Sequence, residues 1–119
     1  MAEHRIFSTS FASIYPTYLT KAGRQDRTSE EVDRVIAWLT GYDKAAMKKA
    51  IDDQIDLETF FAQAPRMNPK ASLITGLISG YRVENIDDPL MQKIRYMDKL
   101  VDELAKGRPM TTVLRGDAA

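Results

Sequence analysis

Apolar residues recur along this chain at spacings of three and four, which is the period of amphipathic helices rather than strands. The most regular run covers 88–106. Leu90, Ile94, Met97, Val101 and Leu104 fall on one side with Leu100 beside them, while Arg95, Asp98, Lys99, Asp102, Glu103 and Lys106 fall on the other. Asp88 before Pro89 supplies a capping carboxylate and a proline at the first helical position, where a missing N–H does no harm. Lys106 in the last turn and Gly107 just beyond it are the matching stop. Asp102 and Lys106 form a favourably oriented i,i+4 pair.

Shorter periodic runs precede this helix. Phe7, Phe11, Ile14, Tyr15, Tyr18, Leu19 and Ala22 share one helical face, interrupted by Pro16. An interior proline removes a backbone hydrogen bond, so the pattern predicts either a kink there or a turn followed by a helix that starts at Pro16. Residues 23–27 are a polar break. Thr28 and Glu31 have capping-box spacing ahead of the stripe Val32, Val35, Ile36, Leu39, and Gly41 stands where a left-handed cap is wanted. Asp43 caps a third helix with Met47, Ala50 and Ile51 inside. Asp56 caps a fourth with Leu57, Phe60, Phe61 and Ala64 inside, ended by Pro65.

Asn68-Pro69 repeats the cap-plus-proline pair, and Leu73, Ile74, Leu77 and Ile78 follow at helical spacing opposite Ser72, Thr75, Gly76 and Ser79. Two glycines and several β-branched residues permit a hairpin running to Val83 equally well, so the 70–83 stretch stays open between helix and hairpin. Residues 81–87 read as a connection. Pro109 starts a last short helix with Met110, Val113 and Leu114 inside. The fold expected is all-α: a compact, bundle-like orthogonal domain of five to seven short helices with one longer C-terminal amphipathic helix. Residues 1–119 form one domain in this reading, with flexible ends at 1–6 and 116–119.

Composition narrows the function classes. The 119 residues are 44 % hydrophobic and 29 % charged, enough to build a core without staples. Seventeen Lys plus Arg balance seventeen Asp plus Glu, so whole-surface attraction to nucleic acid or anionic membrane is disfavoured. The absence of cysteine excludes disulfides, thiolate catalysis and cysteine-ligated zinc. His4 and Arg5 stand in an N-terminal segment without an apolar run, so no signal peptide is expected, and no stretch approaches a membrane span.

Candidate chemistry is sparse. The single histidine, His4, lies near a terminus and offers no base for a triad. Asp52, Asp53, Asp56 and Glu58, and separately Glu84, Asp87 and Asp88, cluster as hard-cation ligands do. They lack EF-hand spacing, Lys48 and Lys49 adjoin the first group, and Asp56 and Asp88 already serve as caps, so no metal and no cofactor is expected. The helix pair within 28–54, joined by a turn with Gly41, has helix–turn–helix proportions. Lys44, Lys48 and Lys49 are placed for phosphate contacts. Against that, the second helix has no Arg, Asn or Gln before Gln54 to read bases, and Asp52 and Asp53 repel the backbone. Trp38 and Tyr96 lie off the apolar stripes, Tyr42 sits at a turn, and Arg82, Glu84 and Arg95 come from the connection and the outer face of the long helix. Residues of these types dominate interaction hot spots. They also suit packing in a second layer, with Arg82 pairing locally to Glu84 or Asp87.

Several stretches together resemble the bacterial domain-of-unknown-function family 2200. They include His4-Arg5-Ile6-Phe7, Trp38-Leu39-Thr40-Gly41-Tyr42, Glu58-Thr59-Phe60-Phe61-Ala62 and Ala64-Pro65 through Asn68-Pro69. Arg82-Val83-Glu84, the long block from Asp88 to Tyr96, Asp98-Lys99-Leu100 and Glu103-Leu104-Ala105-Lys106-Gly107 complete the set. The resemblance extends from His4 to Arg115 and implies a small helical bacterial protein. It carries over no catalytic residue. The reading favoured is a non-enzymatic interaction or accessory protein of the bacterial cytoplasm, a monomer or weak homodimer with another protein as its partner and no membrane contact. A DNA-binding regulator using Lys44, Lys48 and Lys49 is the alternative, and an enzyme of uncharacterised chemistry ranks third.

Overall fold

The structure, a computed structural model, describes residues 2–117, with side chains from Arg5 onward. His4's side chain, and Met1, Ala118 and Ala119 at the ends expected to be flexible, lie outside the described residues. Six α-helices and a two-stranded hairpin make the fold largely all-α, with 65 % of residues helical. The α-helices are α1 (Phe11–Gly23), α2 (Ser29–Thr40), α3 (Lys44–Asp52), α4 (Leu57–Ala62), α5 (Pro89–Ala105) and α6 (Met110–Val113). Short 3-10 helices occupy Ala2–Ser8, Pro69–Leu73 and Val83–Asn85, and the strands are β1 (Leu77–Ile78) and β2 (Tyr81–Arg82).

Local chemistry explains most boundaries. Thr28 and Glu31 close a reciprocal capping box on α2, and Gly41 ends it at φ 81. Asp43, Asp56 and Asp88 each accept a hydrogen bond from the backbone N–H three residues on, at 2.7, 2.8 and 2.9 Å. Gly107 follows α5 at φ 82. Of the two readings at Pro16, the helix start there is overturned: α1 starts at Phe11 and runs through the proline. The start is fixed earlier because Ser10 caps it through Ser13 N at 3.1 Å. The backbone bonds Phe11 N to Ile55 O and Leu57 N to Thr9 O, both 2.9 Å, pin it beside the start of α4. Burial of Phe11, Tyr18 and Ala22 then offsets the roughly 3 kcal/mol cost of the interior proline.

α5 is the hub, in contact with α1, α2, α4, α6 and β1. Ile94, Met97, Leu100, Val101 and Leu104 are buried on it, against Val32, Val35, Ile36 and Leu39 of α2 among others in one contiguous core. Each such side chain contributes roughly 1.5–3 kcal/mol on leaving water. The charged side of α5 does not face solvent as the amphipathic pattern suggests. Neighbours cover it: Asp98 accepts from the Tyr18 hydroxyl, and Asp102 pairs with Lys21 and Lys106 at 3.0 Å each. Glu103 is 7 % exposed and takes a two-pronged bond from Arg115 at 2.5 and 2.9 Å. The bidentate geometry is what makes a nearly buried carboxylate tolerable there.

Candidate functional site

The 70–83 stretch, open between helix and hairpin, resolves as a hairpin that follows the short 3-10 turn Pro69–Leu73. Ser79 and Gly80 have φ 52 and 84, the two positive values of a type I′ turn, so β1 and β2 pair antiparallel with Leu77 opposite Arg82 and Ile78 opposite Tyr81. Val83 N donates to Gly76 O at 2.9 Å and extends the ladder by one pair. The hairpin is fastened to α5 by side chains. Lys99 Nζ donates to Leu77 O at 3.2 Å, and Gln92 Nε2 to Val83 O at 3.1 Å. Glu84 folds back to accept from Gly76 N at 2.9 Å, and that bond leads in holding its carboxyl below the usual range.

Between hairpin and helix runs a groove of about 340 Å³, lined by Tyr81, Arg82, Asn85, Ile86, Met91 and Arg95. Its lining holds two guanidinium groups, an amide and an aromatic ring over a Met and Ile floor, and no carboxylate. Arg95 is held from behind: its Nη1 donates to Asp98 Oδ2 at 2.7 Å, while the Tyr18 hydroxyl donates to Asp98 Oδ1. Burial first, and then the Asp98 charge, push the Tyr18 hydroxyl well above its ordinary range, so it stays a donor. Arg82 is 3.6 Å from Glu84, a loose pair on an exposed side chain. Such a groove suits an anionic group carried beside an apolar one.

Of the residues singled out in sequence, Arg82 and Arg95 therefore meet in one groove, with Glu84 just behind it. The others go elsewhere. Tyr42 sits in the core, stacked on Phe60 at 4.5 Å, which in turn stacks on Phe11 at 4.2 Å; its hydroxyl donates to Phe60 O at 2.6 Å. Tyr96 is 9 % exposed, and burial raises its hydroxyl. Trp38 is half-buried on α2 and donates from Nε1 to Asp117 at 2.7 Å. Lys48 and Lys49 each reach an aspartate one turn on, Asp52 and Asp53, at 2.7 and 2.8 Å. Lys44 lines an open groove between α2 and α3 with Ala37 and Met47.

Tyr81, Asn85, Ile86 and Met91 are the groove residues that reading the chain missed, the first three because 81–87 looked like a connection. The available signal was the Ser79-Gly80 pair between Leu77-Ile78 and Tyr81-Arg82, a two-residue turn between two short runs. The side chains around it are unusual in their exposure. Leu73, Leu77 and Tyr81, at 54 %, 59 % and 65 %, are the exposed large hydrophobic residues among those described, and all lie within 73–81.

None of the curated proteins matches the chain. A crystal structure titled as that of the uncharacterized protein SP1917 is similar throughout, with 42 % identity and a TM-score of 0.88, covering 94 % of this chain and 92 % of that one. The sequence pattern of the family DUF2200, described as an uncharacterized protein conserved in bacteria, matches residues 5–115, and the chain belongs to that family.

Proposed function

We propose that this chain is a non-enzymatic interaction module of the bacterial cytoplasm that docks an acidic segment of a partner protein, bearing apolar side chains, along residues 73–86 and the first half of α5. The observation that carries the reading is the concentration of exposed Leu73, Leu77 and Tyr81 in one excursion of the chain. Exposed apolar groups held on an ordered element mark interaction surfaces, and an aromatic beside arginines is the usual composition of their hot spots. Arg82 and Arg95, with no carboxylate in the groove lining between them, set the sign of the partner's charge. The hairpin needs no induced folding to present these groups, since three side chains and a type I′ turn already fix it.

A displayed-peptide selection against the wild-type chain tests this. Enriched sequences should carry Asp or Glu next to Leu, Phe or Tyr, and their affinity should fall about tenfold for Arg82→Ala or Tyr81→Ala. Enrichment of basic sequences, or peptides that bind both variants as well as wild type, would sink the reading.

A further inference from the structure

A second groove, of about 330 Å³, lies where the 3-10 helix Pro69–Leu73, α5 and α6 meet, apart from the groove of Tyr81 and Arg82. Its floor is a fixed ion pair. Arg115 has a left-handed backbone, φ 52, which is a strained conformation for a residue with a side chain. From there its guanidinium takes both oxygens of Glu103 and also donates to the carbonyls of Leu73 and Val113 at 3.3 and 2.9 Å. Arg115 and Glu103 thus cancel in charge and have their hydrogen-bonding capacity largely taken up. What remains in the lining is Lys99, Arg108, Thr75 and Thr112. The lining thus holds three cations to one anion, Glu103, which Arg115 neutralises, leaving two cations and two hydroxyls; Lys99 has given Leu77 O one of its three possible bonds.

We infer that this groove binds a phosphoryl group, either inorganic phosphate or the phosphate of a monoester, between Lys99 and Arg108 with the hydroxyls of Thr75 and Thr112 as further donors. Charge and donor number both select that ligand. The unbalanced lining carries two positive charges, which a phosphate near its second ionisation matches and a carboxylate does not. A tetrahedral oxyanion has at least three acceptor oxygens for donors arriving from α5, the α5–α6 connection, α6 and the residue pair after the 3-10 helix, whereas a carboxylate has two in one plane. Leu73, 54 % exposed on the same wall, gives the organic part of an ester an apolar shelf. The polar groups that carry this inference, Lys99, Arg108, Thr75 and Thr112, do not line the groove of Tyr81, Arg82 and Arg95, so it stands without the acidic-segment reading; Leu73 alone serves both.

The test is an amide-resolved NMR titration of the whole chain at constant ionic strength with inorganic phosphate, sulfate, phenyl phosphate and acetate. Saturable shifts at Thr75, Arg108 and Thr112 are expected with phosphate and sulfate and not with acetate. Tighter binding of phenyl phosphate identifies a monoester as the ligand, and equal binding identifies the free anion. Arg108→Ala, at an exposed position, should weaken binding about tenfold. Thr112→Val should weaken it less, and Arg82→Ala should leave it unchanged. Shifts that stay linear, acetate acting as phosphate does, or Arg108→Ala keeping full affinity would each overturn it.

Discussion

α2 and the segment 69–82 start from nearly the same apolar spacing and end differently. Val35, Ile36 and Leu39 lie on one helix and are fully buried. Leu73, Ile74, Leu77 and Ile78 have the same intervals, yet Ile74 and Ile78 are at most 9 % exposed while Leu73 and Leu77 are more than half exposed. Punctuation, not hydrophobicity, separates them. α2 has its capping box and no glycine before Gly41. In the second segment the cap on Asn68 supports only a five-residue 3-10 turn, and Ile74 is already extended at φ -78, ψ 114. Gly76 at φ 109 and the Ser79-Gly80 pair then exclude a helix. Apolar spacing states which side chains gain by burial; the backbone between them decides which of them reach the core. The apolar groups left outside are those assigned here to a partner.

The sharpest way to break this contrast is to truncate one leucine from each region. Leu39→Ala should cost about 2–5 kcal/mol in urea unfolding, since it leaves a cavity among fully buried neighbours. Leu77→Ala should stay within about 0.5 kcal/mol of wild type while weakening peptide binding. The single tryptophan, Trp38, provides the fluorescence readout. A Leu77→Ala variant as unstable as Leu39→Ala would mean that the hairpin belongs to the core.

The glycines give a smaller, cleaner comparison. A Cβ on Gly41 would lie 2.8 Å from Arg66 N and 3.1 Å from Arg66 O, both backbone atoms, in addition to requiring φ 81. Gly41→Ala should therefore cost about 2–3 kcal/mol. Gly80, at φ 84, has no atom within 4 Å of an added Cβ, so Gly80→Ala should cost only the left-handed penalty of about 1 kcal/mol. Equal melting temperatures for the two variants would show that the close approach of 65–68 to the end of α2 contributes nothing.

Helix starts and stops were legible at four side-chain caps and one glycine, while the cap on Ser10 was passed over. Thr28, Asp43, Asp56 and Asp88 are local signals, and so is Gly41, and the structure bears them all out. The reading that α1 starts at Pro16 fails because Ser10 sets the start, through its cap on Ser13 N and its pairing beside the distant Asp56. A third of the candidate site was visible: Arg82 and Arg95 stand out by residue type, and Glu84, one of two local partners offered for Arg82, pairs with it. Tyr42 was read as a turn residue because nothing in its neighbourhood announces that Phe60 and Phe11 stack beneath it. The covered charges of α5 have the same origin. Lys21, Tyr18 and Arg115 come from other elements, and one helix's periodicity says nothing about what packs over its polar side.

The two regions are joined by one carboxylate, and it offers the smallest but most specific effect. Asp117 accepts from Trp38 Nε1 of α2 at 2.7 Å and from Lys70 Nζ of the 3-10 helix at 2.5 Å. The Lys70 bond first, and the Trp38 bond second, hold its carboxyl below the usual aspartate range. A depressed folded value means that the unfolded chain binds the proton more readily. The clasp therefore contributes in full above the ordinary aspartate value of about 3.9 and is lost as pH falls through the lower folded value. Asn at this position keeps an acceptor for Trp38 but ends the ion pair with Lys70. Asp117→Asn should thus flatten the acid limb of the stability profile and abolish the shift in Trp38 emission expected of wild type on acidification. Hydrogen exchange should also rise a few-fold at the amides of Ala71 and Ile74, which bond within the 3-10 turn, and stay unchanged at Gly41, which closes α2 on Ala37 O. Faster exchange at both sites would mean that α2 and the 69–82 segment are one cooperative unit, and the contrast drawn between them would then describe exposure alone.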